Sequence, residues 1–85
     1  MPKSVYSDAH AILVETLVAA RKSSGMFQEE VAARLGKDQS FISNIERGQR
    51  YVDVLEFVAI AKALSLDPVE LFANLAKRLP KKFEI

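Results

Sequence analysis

Apolar residues recur at every third or fourth position in five segments of the chain, and this spacing is typical of amphipathic helices. The predicted helices span residues 8–23, 28–35, 39–47, 54–64 and 68–78. Glycine follows each of the first three, where its left-handed conformation can end a helix, and Pro68 occupies the favoured first position of the fifth. Strand-like alternation of apolar and charged residues occurs only at the extreme C-terminus. The pattern therefore predicts an all-α fold of five helices.

Capping residues and inward faces follow from the same pattern. The predicted N-caps are Ser7 or Asp8, Asp38, Asp53 and Asp67, because such side chains accept hydrogen bonds from a first helical turn. The positions expected to face the core are Leu13, Leu17, Ala20, Ser24, Val31, Leu35, Ile42, Ile45, Val54, Phe57, Ile60, Ala61, Leu64, Leu71, Phe72 and Leu75. His10, the single histidine, is expected on the surface of the first helix.

The second and third helices are separated by residues 36–38 alone, and a glycine-containing turn this short forces two helices to cross sharply. The outer side of the third helix is polar but uncharged, with the side chains Gln39, Ser40, Ser43 and Asn44. Amides can pair with the edge of adenine in the major groove of DNA, and hydroxyl groups can donate or accept there. These residue types at this spacing favour a surface that recognises double-stranded DNA.

The composition of the chain limits the classes of protein to which it can belong. The chain has 85 residues, which suits one domain, and a net charge of +1, which supports nucleic-acid binding only weakly. It has no cysteine, so disulfides and thiolate-bound metals are excluded, and a reducing cytoplasmic setting is compatible. No nucleophile–base pair, phosphate loop or metal-ligand cluster is recognisable, so we expect no enzymatic activity, cofactor or metal. The longest apolar stretch, residues 9–20, is too short and polar to span a membrane.

The segment QEEVAARLGKDQSFISNIERGQR, residues 28–50, resembles the helix-turn-helix of the phage lambda-repressor and Cro proteins, the Xre family. The matching features inside it are Gln28, Ala32, Gly36 and the run Ser43-x-x-Glu46-x-Gly48. Further matches are Leu17 and Arg21 in the first helix, residues 60–64 in the fourth, and residues 67–72 at the start of the fifth. The resemblance covers about residues 9–76, and it implies a five-helix lambda-repressor-like DNA-binding domain.

The resemblance also implies roles for individual residues. Gln39, Ser40, Ser43 and Asn44 match base-reading positions, and Gln28, Lys37, Arg47, Gln49 and Arg50 match positions that contact the phosphate backbone. Gln28 is further expected to buttress Gln39. Arg21 and Glu46 resemble a structural ion pair between the first helix and the end of the third. One position departs from the family pattern, because Phe27 stands where a serine or threonine usually caps the second helix.

Two readings stay open for several other positions. Phe41 could contact a thymine methyl group or be partly buried against the domain. Phe27 could pack on the domain surface or touch the sugar–phosphate edge. The basic residues Lys77, Arg78, Lys81 and Lys82 could form a solubilising tail or contact DNA.

The expected organisation is an N-terminal arm at residues 1–7, the DNA-binding domain at 8–78 and a tail at 79–85 that is disordered or pairs as a strand with another chain. Apolar residues exceed what one inward face requires, with Ile12, Val18, Leu55, Val58, Leu66 and Val69 as candidates for exposure. Family members usually bind DNA as two-fold dimers, so we expect a homodimer formed by the fifth helix and the tail, with the fourth helix as a further candidate contributor. The residues predicted for its interface are Leu55, Leu66, Val69 and Phe83.

The sequence thus predicts a transcriptional regulator, more specifically a repressor that recognises a palindromic operator as a homodimer. An antitoxin, or the controller of a restriction system, would have the same fold and stays an alternative, with a partner protein in the first case. A protein-interaction module without DNA binding is a further alternative, favoured by the near-neutral charge.

Overall fold

The structure is a computed structural model and describes residues 7–84. Its helices are α1 (Asp8–Ser23), α2 (Gln28–Leu35), α3 (Gln39–Glu46), α4 (Val54–Ala63) and α5 (Pro68–Arg78). No strand occurs within the described range, so the predicted all-α class is confirmed. Both α3 and α4 end one residue earlier than predicted, because Arg47 and Leu64 occupy their C-cap positions.

Side-chain caps fix the starts of three helices. Ser7, Asp53 and Asp67 each accept a hydrogen bond from a backbone N–H of the first helical turn, at 3.2, 2.7 and 2.9 Å. Asp38 is the N-cap of α3, as predicted, but it does not cap the helix through its side chain. Asp38 has the extended backbone of an N-cap residue, but its carboxylate makes no capping hydrogen bond, and the N–H of Phe41 bonds instead to its carbonyl oxygen at 3.0 Å.

The turn between α2 and α3 depends on Gly36, whose φ of +69° lies in the left-handed region that other residues seldom adopt. This conformation lets the N–H of Lys37 reach back to the carbonyl oxygen of Ala32 at 2.9 Å and closes the end of α2. The chain then re-enters a helix at Gln39, so the two helices are joined by the short turn that the sequence predicts.

The core lies where all five helices meet. α3 packs against α2 and α1, α4 packs against α2 and α5, and α5 also packs against α1. The buried apolar residues are Leu17, Met26, Val31, Ala32, Ile42, Ile45, Phe57, Ile60, Ala61, Ala63, Leu64, Leu71 and Leu75, together with Val14. Most of the predicted inward positions are therefore confirmed.

Two inward assignments are wrong. Val54 is 72% exposed and Phe72 is 55% exposed, although both have the spacing of a buried face. Val54 is the first residue of α4 and has no preceding helical turn, and the ring of Phe72 meets that of Phe57 edge-to-face with centroids 5.8 Å apart. On α1, Leu13 is half-buried and packs against the core, and its neighbour Val14 is buried.

His10 is buried, with 6% of its surface exposed, so its predicted surface position is wrong. The loop after α3 covers it, and the ring of Tyr51 meets the imidazole edge-to-face with centroids 5.4 Å apart. Burial lowers the pKa of His10, and a hydrogen bond with the backbone of Arg50 partly opposes this shift. The imidazole Nε2 has no hydrogen-bond partner among residues 7–84. The pattern of one helix cannot show that a distant loop folds over it.

Residues 79–84 contain no strand, so the strand-like reading of the tail is not observed within this part of the chain. Leu79 and Phe83 fold back beside His10 and Leu13 and line a groove there. Ile85 and the arm at residues 1–6 lie outside the described residues. None of the helices in the described range has the length and hydropathy needed to cross a lipid bilayer.

Candidate nucleic-acid interface

The outer face of α3 is open to solvent and is held rigidly from behind. Ile42 and Ile45 are buried in the core and anchor the helix against α1 and α2. On the opposite side Gln39 and Ser40 are exposed, and Ser43 and Asn44 are half-buried. The structure therefore brings all four predicted base-reading residues onto one helix, on a face that no described part of the chain covers completely.

A chain of hydrogen bonds runs from α1 to the first residue of α3. Two nitrogens of Arg21 donate to the carboxylate oxygens of Glu46, at 2.6 and 2.9 Å. The side-chain amide of Gln28 donates to the same carboxylate at 2.8 Å, and its carbonyl oxygen accepts from the amide of Gln39 at 3.1 Å. The side chain of Gln39 is consequently positioned through Gln28 by a buried ion pair.

The ion pair itself is nearly dehydrated, since the side chains of Arg21 and Glu46 are only 13% and 11% exposed. Hydrogen bonding to Glu46 raises the pKa of Arg21. Arg21 also donates to the carbonyl oxygen of Met26 at 2.8 Å and so ties α1 to the segment that precedes α2. A bidentate, charge-assisted pair in this setting fixes geometry more strongly than an exposed one.

The C-terminal half of the α3 face carries its own local contacts. Arg47 donates to the side-chain oxygen of Asn44 and, at a long 3.4 Å, to the hydroxyl of Ser43. These bonds are exposed, so exchanging them for bonds to DNA carries little desolvation cost. Gln49, another predicted phosphate contact, is exposed in the loop that follows.

Two of the predicted phosphate-contacting cations gather around Phe41. The Lys37 ammonium lies 5.5 Å from the centroid of this ring, and the Arg50 guanidinium lies 4.8 Å from it. Arg50 also forms a bidentate ion pair with Glu56 on α4, at 3.1 and 3.0 Å. Hydrogen bonds from Arg50 are the main cause that lowers the pKa of Glu56, so this carboxylate stays ionised. Sequence reasoning missed the link between Arg50 and Glu56, because no local spacing signals a pair across a loop.

Phe27 is 73% exposed at the start of α2 and provides no side-chain cap. Its own N–H donates to the carboxylate of Glu30 at 2.9 Å, which is one half of a capping box. The phenyl ring has no atom that can accept a hydrogen bond from the N–H of Glu30, so α2 lacks the side-chain cap, as the sequence predicts. Its exposure shows that the ring does not pack closely on the domain surface.

The residues predicted for a subunit interface differ in exposure. Leu55 and Val69 are 79% and 76% exposed, and Phe83 is partly exposed in the tail. Leu66 is half-buried and packs against the core. Among residues 7–84 no cluster of histidine and acidic side chains could hold a metal ion.

Comparison with known proteins agrees with this geometry. Residues 17–71 match the family model described as helix-turn-helix. The HTH-type transcriptional regulator y4dJ of Sinorhizobium fredii is 36% identical over 64 residues, which cover 75% of this chain and 83% of that protein.

Two solved structures are similar as well. An XRE-family like protein from Pseudomonas syringae pv. tomato is 38% identical with a TM-score of 0.77, over 85% of this chain and 88% of that one. The restriction-modification controller protein C.AhdI from Aeromonas hydrophila is 37% identical with a TM-score of 0.63, over 69% of this chain and 86% of that one. The family model spans more than half of the chain, and the matched residues include α2 and α3. The chain therefore belongs to the Xre family of DNA-binding helix-turn-helix transcriptional regulators.

Proposed function

We propose that this protein is a cytoplasmic transcriptional repressor that binds a palindromic operator as a homodimer. The observation that carries the proposal is the uncharged polar face of α3, with Gln39 held in place by Gln28. Occupying an operator is sufficient to block transcription, whereas activation needs an additional surface for the polymerase. The proposed activity is binding rather than catalysis.

In this proposal α3 enters the major groove, and Gln39, Ser40, Ser43 and Asn44 contact base edges. Gln39 and Asn44 offer the amide groups that pair with adenine. The backbone contacts come from residues around this face, namely Gln28, Lys37, Arg47, Gln49 and Arg50. Phosphate contacts supply affinity and base contacts supply discrimination. Arg21 and Glu46 act only through Gln28 and the packing of α3 against α1.

An apolar groove between α4 and α5 supports the homodimer. It has a volume of about 410 Å³ and is lined by Leu13, Val54, Phe57, Val69, Phe72 and Leu75, among others. Val54, Val69 and Phe72 are more than half exposed, and exposed apolar surface of this kind is typical of protein interfaces. The groove continues toward the tail, because Leu13 and Leu75 also line the neighbouring groove that contains Phe83. We place the two-fold contact here, with the predicted interface residues Leu55 and Leu66 at α4 and the start of α5.

A two-fold dimer fixes the form of the operator. Each subunit inserts its own α3 into successive major grooves on one face of the duplex, about 34 Å apart. The two half-sites are then inverted copies separated by about one helical turn.

Control of a restriction–modification system is a second candidate, favoured by the similarity to C.AhdI. This candidate differs from the first only in the genes that are regulated, because the protein would bind its operator in the same way. A restriction or modification gene beside the gene of this protein would support it, and a neighbouring toxin gene would support an antitoxin instead.

The experiment that tests the proposal is selection of bound fragments from random duplex DNA by the full chain. We expect a palindrome with half-sites about one helical turn apart, and footprinting should show one dimer per palindrome. Repeated selection that yields no enriched sequence would contradict the proposal and favour a protein-interaction module. Enrichment of a single, unrepeated half-site would contradict the proposed homodimer and leave sequence-specific DNA binding intact.

A further inference from the structure

Two cations lie over the ring of Phe41, and a carboxylate from α4 pairs with one of them. Lys37 comes from the turn before α3, Phe41 from α3 itself, Arg50 from the loop after α3, and Glu56 from α4. Both cations lie within ordinary cation–π range of the ring. Residues that are 13 positions apart in sequence, Lys37 and Arg50, are therefore held over one aromatic side chain.

Arg50 has little freedom in this arrangement. Its two terminal nitrogens are bonded to the two carboxylate oxygens of Glu56, and its guanidinium carbon lies 4.8 Å from the ring centroid. Glu56 is itself fixed, because it accepts from the N–H of Asp53 at 3.0 Å and donates its own N–H to the carboxylate of Asp53 at 2.7 Å. The capping box of α4 thus anchors a cation beside the recognition helix.

The charges of Lys37, Arg50 and Glu56 together favour the binding of an anion. Lys37 and Arg50 contribute two positive charges and Glu56 one negative charge, which gives a local charge of +1. Glu56 is ion-paired with Arg50 and also interacts electrostatically with Lys37, which forms no ion pair within residues 7–84. Both cations lie over the same ring, and an oxyanion bound by both would be attracted by each charge.

We propose that Phe41 is a positioning residue that holds Lys37 and Arg50 as a single two-cation site for one backbone phosphate of DNA. This inference rests on the proposed function and makes it more specific, since separate cations would contact separate phosphates. It also decides between the two readings of Phe41. The ring is half-buried against the core and its face is occupied by cations, so it acts through the backbone contacts and not on a thymine methyl group.

The first test replaces Phe41. Phe41→Leu keeps an apolar side chain and removes the π face, and Phe41→Tyr keeps the face. Binding to the selected operator and to random duplex is measured over a range of salt concentrations. We expect Phe41→Leu to weaken both by the same factor, about five- to tenfold, and Phe41→Tyr to bind like the parent. A loss confined to the operator would show base reading and would overturn the inference, as would unchanged binding.

The second test counts phosphates and does not depend on how well Phe41→Leu folds. Lys37→Met and Arg50→Met are combined in a Glu56→Gln background, so that no carboxylate is left unpaired, and compared with that background. Each phosphate contributes about 0.9 to the slope of log affinity against log salt. One shared phosphate predicts that the slope per subunit falls by about 0.9, and two separate phosphates predict about 1.8. The larger value would overturn the inference while leaving DNA binding intact, whereas a parent protein that binds no DNA would overturn both proposals.

Discussion

The side-chain amide of Gln39 donates to the carbonyl oxygen of Gln28 at 3.1 Å, so the first residue of α3 is oriented by the first residue of α2. The NH₂ group of the same Gln28 side chain donates to Glu46 at 2.8 Å, and this bond turns the carbonyl oxygen of Gln28 toward Gln39. A side chain that must make paired hydrogen bonds to a base loses less entropy on binding when it is already oriented. The helix-turn-helix therefore prepares its own recognition surface before DNA arrives.

Replacing Gln28 by alanine should weaken discrimination at the base pair that Gln39 contacts. The lost orientation is worth roughly 1 kcal/mol, the usual contribution of one hydrogen bond, or about fivefold in preference at that position. Selection from random duplex DNA with Gln28→Ala would show one less strongly defined position in each half-site. Gln49→Ala, the same change in the exposed loop, should leave every position as well defined as in the parent.

Replacing Asn44 by alanine should cost about 1–3 kcal/mol of preference for the operator over random DNA, because an amide can make two bonds to one base. Affinity for random duplex should change little. The ratio of the two dissociation constants, measured by fluorescence anisotropy at one salt concentration, gives the result. Asn74→Ala makes the same change on the exposed surface of α5 and serves as the control. If Asn44→Ala and Asn74→Ala reduced the preference for the operator over random DNA by the same factor, α3 would not be the element that reads bases.

Replacing Arg21 by methionine should destabilise the fold by roughly 3–5 kcal/mol, because the carboxylate of Glu46 would stay buried without its partner. The double variant Arg21→Met with Glu46→Leu removes both charges and should recover much of that loss. Urea unfolding of the two variants and the parent measures the difference. If Arg21→Met were as stable as the parent, the ion pair would orient the helices without stabilising the fold.

Replacing Val69 by glutamate should dissociate the proposed homodimer, because burying a charge in an apolar contact is costly. Val69 is 76% exposed within one subunit, so the monomer itself should fold normally. Sedimentation would then show a monomer at concentrations where the parent is a dimer, and operator affinity would fall with it. Ala19→Glu places the same charge on the exposed side of α1 and should leave the dimer intact. Dimerisation of the Val69→Glu variant would move the interface away from α5.

The helix bounds and most of the core could be predicted from sequence because both depend on local periodicity and on turn residues such as Gly36. The positions that were missed depend on contacts between segments far apart in the chain. His10 is buried by a loop some forty positions away, and Arg50 is paired across that loop with Glu56. Val54 shows the opposite error, since a residue with the correct spacing lies at a helix end and is 72% exposed.

The burial of His10 predicts how stability depends on pH. Burial lowers the pKa of this imidazole below the ordinary value of 6.5, so below pH 6.5 the unfolded chain binds a proton that the folded chain does not. The free energy of unfolding should therefore decrease as the pH falls from about 6.5 toward the lowered pKa of the folded state, and should be constant with respect to this group above 6.5. The lowered pKa of Glu56 has its effect in a separate, more acidic window below its ordinary 4.5. Urea unfolding at pH 7.5 and 5.5 measures the difference, and His10→Phe, which keeps an aromatic ring beside Tyr51, should abolish most of it. If the parent and His10→Phe lost the same stability over this interval, another group would be responsible and His10 would not sense pH in the fold.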